Sequence, residues 1–287
     1  MQPPGEYGAG TAAGDMGMSI PKALTIAGTD SGGGAGIQAD IKTFQELGVY
    51  GMSAVTAVTA QNTLGVQGVY PMEPEAVARQ LDSIGEDLSP EAVKTGMLFS
   101  GEIIEIVAAK IRQYGWNRLV VDPVMVAKGG QTLLQHEALK ALTTSLLPLT
   151  LLVTPNLPEA ELLTGRRVDN WEDRMDAARA IHALGARYVL VKGGHDDNDR
   201  LSADLLYDGE SFHRLEGTRI YTRSTHGTGC TFSAAAAAEL AKGRTVREAC
   251  ATAKAFIQSA IEHPLEIGSG HGPTNHFAYK LLRGSAQ

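Results

Sequence analysis

From about residue 20 onward, short runs of β-branched and apolar residues take turns with longer amphipathic stretches, and glycine follows many of the long ones. Strands are predicted over Ala23–Ala27, Gly51–Ala60, Ala92–Thr95, Arg118–Asp122, Leu151–Thr154, Tyr188–Val191 and Ser202–Tyr207. Helices are predicted over Ala35–Leu47, Pro74–Asp87, Gly101–Tyr114, Gln135–Leu146, Pro158–Leu163, Trp171–Leu184, Thr231–Lys242 and Thr245–Glu262. Gly48, Gly115, Gly185 and Gly243 stand where helices stop. Such alternation implies βα units, a mainly parallel sheet and helices on both of its faces. No repeat, linker or break in composition interrupts residues 19–287, which are read as one domain. Residues 1–18 are rich in Gly, Pro and Ala without periodicity, and are read as a disordered tail.

The net charge of −7 and the lack of any basic run argue against a nucleic-acid partner. A small anion could still bind through a local device such as a helix N-terminus, a lysine or a metal. Two cysteines, Cys230 and Cys250, are too few for a disulfide framework. No stretch reaches the roughly 20 apolar residues of a membrane span, and no basic start precedes an apolar segment. The expected location is cytoplasmic, with no membrane partner.

Phosphate-binding devices discriminate further. The P-loop pattern Gly-x-x-x-x-Gly-Lys-Ser/Thr is absent. The turn Gly28–Gly36 follows the first strand, but its glycines miss the dinucleotide spacing. Asp40 falls one helical turn beyond it, either as an acid favoured by the helix dipole or as a carboxylate aimed into a pocket at the sheet's C-terminal edge. Thr225-His-Gly-Thr-Gly-Cys230 is more informative, because a Gly-x-Gly turn feeding an Ala-rich helix exposes amide N–H groups at a positive helix end. Cys230 sits at that helix start, an environment expected to favour a thiolate, whereas Cys250 reads as inert core.

Other polar groups follow predicted strands. Lys192, before Gly193-Gly194-His195, can reach phosphates as a point charge. Asn156 and Glu159 form either a capping box or an amide and carboxylate that hold Mg²⁺ and its waters. Asp122, ending Leu119-Val-Val-Asp, is a further candidate for Mg²⁺. All these clusters fall on one predicted rim of the sheet, which points to a phosphate-handling site.

Ala27–Phe44, Thr59–Thr63, Lys94–Met97, Val121–Met125, Thr154–Glu159, Val191–His195, Thr225–Cys230 and Gly270–Phe277 closely resemble the bacterial hydroxymethylpyrimidine/phosphomethylpyrimidine kinases of thiamin biosynthesis. The resemblance spans residues 22–280. It implies a ribokinase-like three-layer α/β/α sandwich with a mainly parallel central sheet, commonly a homodimer. It implies ATP-dependent phosphorylation of 4-amino-5-hydroxymethyl-2-methylpyrimidine and then of its monophosphate. By motif position, Gly28, Asp40, Gln61, Met97 and Val124 form the pyrimidine pocket. The resemblance implies that Lys192, Asn156, Thr225, Gly227, Thr228 and Gly229 hold ATP, with Asp122 and Glu159 at Mg²⁺. Cys230, Gly227, Gly229 and Lys192 are the catalytic group, Cys230 replacing the aspartate of most ribokinase relatives. Whether Cys230 is a general base or an anion-hole residue stays open. The rivals are a pyridoxal/pyridoxine kinase on the same fold and a non-catalytic vitamin- or nucleotide-binding regulator.

Overall fold

The sheet grows in both directions from its first strand, β1 (Lys22–Ala27), which pairs in parallel with β2 (Tyr50–Val55) on one side and β5 (Ala92–Thr95) on the other. Parallel pairing continues through β6 (Leu119–Val121), β7 (Leu152–Val153) and β8 (Tyr188–Val191). Two antiparallel strands, β9 (Leu201–Tyr207) and β10 (Phe212–Thr218), complete the order β10-β9-β8-β7-β6-β5-β1-β2. The strand order reverses between β1 and β5, and open α/β sheets bind ligands outside the strand ends at such a point. The computed structural model describes residues 19–125, 136–194 and 201–284; the expected tail over 1–18, Gln135 and His195 lie outside them.

Helices cover both faces. α1 (Gly36–Glu46), α7 (Thr228–Ala241) and α8 (Val246–Glu262) share one core with the sheet, joined by Tyr279 of α9 (Ala278–Gly284). α2 (Pro74–Asp87), α3 (Gly101–Tyr114), α4 (His136–Ala141), α5 (Leu157–Thr164) and α6 (Trp171–Ala183) build the other. The short central strands are buried along nearly their whole length: Leu119, Leu152, Val153, Val189 and Leu190 are all 0% exposed, as strands covered on both faces require. Ala234–Ala238 of α7 are likewise fully buried, so small side chains let this helix pack deep against its neighbours.

Three predicted elements take a different form in the structure. The single strand expected over Gly51–Ala60 is two, β2 and β3 (Ala57–Asn62), because the chain leaves the main sheet at Thr56. Thr56 is pinned there, its N–H donating to Ala27 O (3.0 Å) and its hydroxyl to Met97 O (2.6 Å). β3 then pairs with β4 (Gly65–Pro71), hidden in the sequence by its glycines and closing proline. The helix expected up to Leu146 is α4 followed by a π turn over Leu142–Leu146. And α7 begins at Thr228, three residues earlier than expected, which puts Thr228, Gly229 and Cys230 inside its first turn.

Beneath the switch point lies a fully buried ion pair. Lys94 of β5 donates to both Asp40 oxygens (2.8 and 3.0 Å), and Thr25 of β1 donates to Asp40 Oδ2 (2.6 Å). Burial works against the ammonium, but the negative charge of Asp40 overrides it and raises the Lys94 pKa. Removing one partner leaves an uncompensated buried charge. Lys94→Met is therefore expected to cost about 3–5 kcal/mol in chemical denaturation, and the double variant Lys94→Met/Asp40→Leu to regain most of it. A single variant as stable as the parent would show that the pair holds nothing together.

Candidate active site

Strand ends and helix starts converge on one cleft of about 910 Å³. Gly28, Gln61, Met97, Asp122, Val124, Asn156, Glu159, Lys192, Thr225, Gly227, Thr228, Gly229 and Cys230, every expected site residue except Asp40, line it. Asp40 is the exception because its carboxylate is spent on Lys94 and fully buried. It touches no ligand space; Lys94, which the sequence reading does not single out, forms part of the cleft floor instead.

Sequence dictates the two turns that meet here. Asp30 organises the glycine turn: Oδ1 accepts from Gly32 N–H (2.8 Å) and Oδ2 from Gly34 and Ala35 N–H (2.9 and 2.8 Å). The opposing turn caps α7 with Gly227, whose φ of 82° excludes most L residues. A Cβ on Gly227 would also overlap the Gly34 carbonyl, so the two turns touch only because both are glycine. Thr228 hydroxyl donates to Thr225 O (2.7 Å), and the first-turn amides of Gly229 and Cys230 have no protein acceptor among the described residues. Free N–H groups at the positive end of a 14-residue helix make an anion hole.

Facing that hole, Lys192 at the end of β8 donates to Asp122 Oδ1 (2.9 Å) at the end of β6. Burial disfavours its charge, but Asp122 and Glu159 overcome this and raise its pKa. A Cβ on Gly229 would stand 3.2 Å from Lys192 Nζ, so the glycine lets the α7 turn approach the lysine. Asn156 and Glu159 do form a capping box at α5: Glu159 N–H donates to Asn156 Oδ1 (2.8 Å) and Asn156 N–H to Glu159 Oε2 (2.9 Å). Burial, with Asp122 nearby, nonetheless lifts the Glu159 pKa to about 7 against the pull of Lys192.

Cys230 corrects the expectation of a thiolate. Cys230 is half-buried, and Lys94 favours ionisation of its thiol. Desolvation outweighs that pull and pushes the thiol up to about 11, so sulfur is protonated at neutral pH. Cys250 is fully buried, as expected of core.

Of the residues expected to form a pyrimidine wall, Gly28, Met97 and Val124 follow strands of the main sheet, and Gln61 is brought in by the hairpin. Ser31 hydroxyl donates to Gln61 O (2.7 Å), Gln61 N–H donates back to Ser31 Oγ (2.8 Å), and Thr59 donates its N–H to Thr29 Oγ1 (3.0 Å) and its hydroxyl to Thr29 O (2.8 Å). These bonds fasten β3 over the glycine turn and aim Gln61 into the cleft. A Cβ on Gly28 would displace the Met97 methyl, so the glycine leaves that end of the Met97 side chain its present place in the cleft. Sequence reasoning missed His226, whose Nε2 lies 2.8 Å from Asp30 Oδ2 and 2.9 Å from the Gln61 amide nitrogen. It also missed Asp204, which accepts from Gly193 N–H (2.8 Å) and pairs with Lys254 (2.8 Å), steadying the residue after Lys192. Partners so far apart in the chain leave no local signal.

The chain is similar to known proteins over most of its length. The family model described as phosphomethylpyrimidine kinase matches residues 30–275. A hydroxymethylpyrimidine/phosphomethylpyrimidine kinase of Bacillus subtilis (strain 168) is 57% identical over 263 residues, covering 92% of this chain and 97% of its own. Among solved structures, an ADP complex of Bacillus subtilis pyridoxal kinase matches with a TM-score of 0.85 at 45% identity, covering 92% of this chain and 100% of the other. The pyridoxal kinase of Staphylococcus aureus in complex with AMP-PCP and pyridoxal matches at 0.84 and 40% identity, covering 91% of this chain and 95% of the other.

Glu159 makes a measurable claim about pH. A carboxyl with a folded pKa near 7 binds a proton that the unfolded chain has released, so its charge costs stability as pH rises from the ordinary carboxylate range through 7. Glu159→Gln keeps the capping box and removes that charge. It is expected to raise the melting temperature at pH 8 and to change it little at pH 5, while turnover falls. An equal shift at both pH values would place the Glu159 pKa in the ordinary range.

Proposed function

This chain belongs to the phosphomethylpyrimidine kinase family, and from that premise we propose that it transfers the γ-phosphoryl group of ATP to the hydroxymethyl group of 4-amino-5-hydroxymethyl-2-methylpyrimidine, then phosphorylates the monophosphate to the diphosphate. The observation that carries this reading is one cleft joining a flat, apolar, amide-bearing wall (Gly28, Gln61, Met97, Val124) to an anion hole at Gly227–Cys230.

In this reading the terminal phosphate of ATP lies over the amides of Gly227, Gly229 and Cys230, with Thr225, Thr228 and Asn156 along the polyphosphate. Lys192 neutralises non-bridging oxygens. No group of three or more acidic, His or Cys side chains among the described residues could hold a metal alone. The two oxygen-donor carboxylates of Asp122 and Glu159 suit Mg²⁺, which takes one or two carboxylates and fills its other positions with water and phosphate oxygens. When bound, that ion adds charge neutralisation to the phosphates. The substrate hydroxyl oxygen bonds to the γ-phosphorus as the bond to the β,γ-bridging oxygen breaks; ADP leaves, and the hydroxyl proton passes to a phosphate oxygen or to solvent. Cys230 enters as a neutral thiol beside the anion hole, not as a stored base, and a loose transition state requires little base strength. Asp40 acts only through Lys94, whose charge it holds at the cleft floor.

The reading also includes a cytoplasmic homodimer. Among the described residues no helix is long and apolar enough to cross a membrane. The β3–β4 hairpin exposes Val58, Leu64 and Tyr70 at 46, 72 and 64%, an apolar surface suited to self-association. Pyridoxal phosphorylation is a second reading, favoured by the likeness to two solved pyridoxal kinases.

Incubation with Mg-ATP and the hydroxymethylpyrimidine is expected to give monophosphate and then diphosphate, with pyridoxal in parallel turned over more slowly. No product from either alcohol would overturn the kinase reading. Cys230→Ala is expected to lower kcat by about 10²–10³ with pyrimidine affinity retained. A near-full kcat would remove the sulfur from the reaction.

A further inference from the structure

Asp30, His226 and Gln61 form a chain of polar contacts that no step above uses. The Asp30 carboxylate is 1% exposed and accepts three backbone N–H bonds, an environment that favours the ionised form. Its hydrogen bond with His226 holds its pKa below the usual carboxylate range despite burial. An ionised carboxylate only accepts, so the nitrogen 2.8 Å from it, His226 Nε2, carries a hydrogen. That nitrogen has no lone pair left for an NH₂ group. The Gln61 amide end 2.9 Å away must therefore be its oxygen, since amide O and N have nearly the same shape and are told apart by their bonds.

We propose that the Asp30–His226 pair locks the Gln61 amide in one orientation, oxygen against His226 and NH₂ toward the cleft, and so makes Gln61 a fixed hydrogen-bond donor that selects a ligand ring presenting an unprotonated acceptor. The other end of this amide has no protein partner among the described residues, and Gln61 lines the cleft. His226 is thus a positioning residue. Its backbone is fixed on both sides, the N–H donating to Gly272 O (3.0 Å) and the carbonyl accepting from Thr274 N–H (3.1 Å). A Cβ on Gly34 would stand 2.6 Å from its ring, so the imidazole is wedged against the glycine turn. A locked donor matches a pyrimidine ring nitrogen beside an exocyclic amine. It opposes the 4-oxo analogue, in which that ring nitrogen carries hydrogen, and leaves a donor facing a donor.

The inference rests on the kinase reading for its ligand but not for its geometry, so two measurements separate them. The first is the ¹H–¹⁵N correlation spectrum of the histidine side chains in the ligand-free protein, with His226 assigned by its loss in His226→Phe. Hydrogen on Nε2 is expected; a neutral ring protonated only at Nδ1 overturns the lock. The second is calorimetric affinity for the 4-amino-5-hydroxymethylpyrimidine and its 4-oxo analogue, without ATP. The parent protein is expected to prefer the amino compound by about tenfold or more. In His226→Phe the freed amide can turn, and that preference is expected to shrink by about the same factor. An unchanged preference overturns the proposal. If the parent protein binds neither compound, the pyrimidine reading and the ligand selection fall together, while the spectrum still decides the lock. If His226→Phe does not fold, assignment through selective ¹⁵N-histidine labelling with backbone-linked spectra keeps the first measurement within reach.

Discussion

A lysine ammonium fully removed from water persists only beside a counter-charge, and Lys94 has one because α1 delivers Asp40 to it under the switch point of the sheet. The pair ties β5, β1 and α1 into a single unit through Lys94, Thr25 and Asp40. Apolar side chains could fill the same volume at no loss of stability. What they could not supply is fixed positive charge at the floor of the cleft, near Asp122 and Cys230. The two helix N-termini that approach this floor, from α1 and α7, are placed by the same unit.

Around that base the site divides its work by element. Strand ends β6 and β8 bring Asp122 and Lys192 together, α5 brings Glu159, and the α7 turn supplies free amides. The hairpin lines the cleft from the other side, through Thr59 and residues 61–66. Because Ser31 and Thr29 hydroxyls bond the hairpin to the glycine turn, and His226 bonds that turn to the α7 turn, the walls of the cleft are held by one continuous hydrogen-bond network. Preorganisation of this kind is what electrostatic catalysis of phosphoryl transfer demands.

Much of this is legible in the chain. Gly227 and Gly229 declare a tight turn before a helix, and Lys192, Asp122 and Asn156 declare strand ends, because turn chemistry and strand patterning are local. The errors share one cause, which is that side-chain direction and partnership are tertiary. Asp40 reads as a pocket acid because nothing near it in sequence names Lys94. Cys230 reads as a thiolate because the helix end is local and the desolvation is not. Gly51–Ala60 reads as one strand because β-branched residues run through Thr56, where a hydroxyl bond to Met97 turns the chain. Asp30 and His226 lie 196 residues apart, beyond any window of pattern reading.

The five consecutive alanines of α7 carry a consequence for variation in this chain. They are wholly buried, and the helix they thin begins with the anion-binding turn. Adding a methylene here cannot be absorbed locally, because a close-packed interior transmits the displacement along a stiff rod. The turn at its head would move relative to Lys192 and Asp122. Natural variants that lose activity should therefore include enlargements at Ala234–Ala238, well inside the protein, and a map of tolerated substitutions would trace the helix as an extension of the active site.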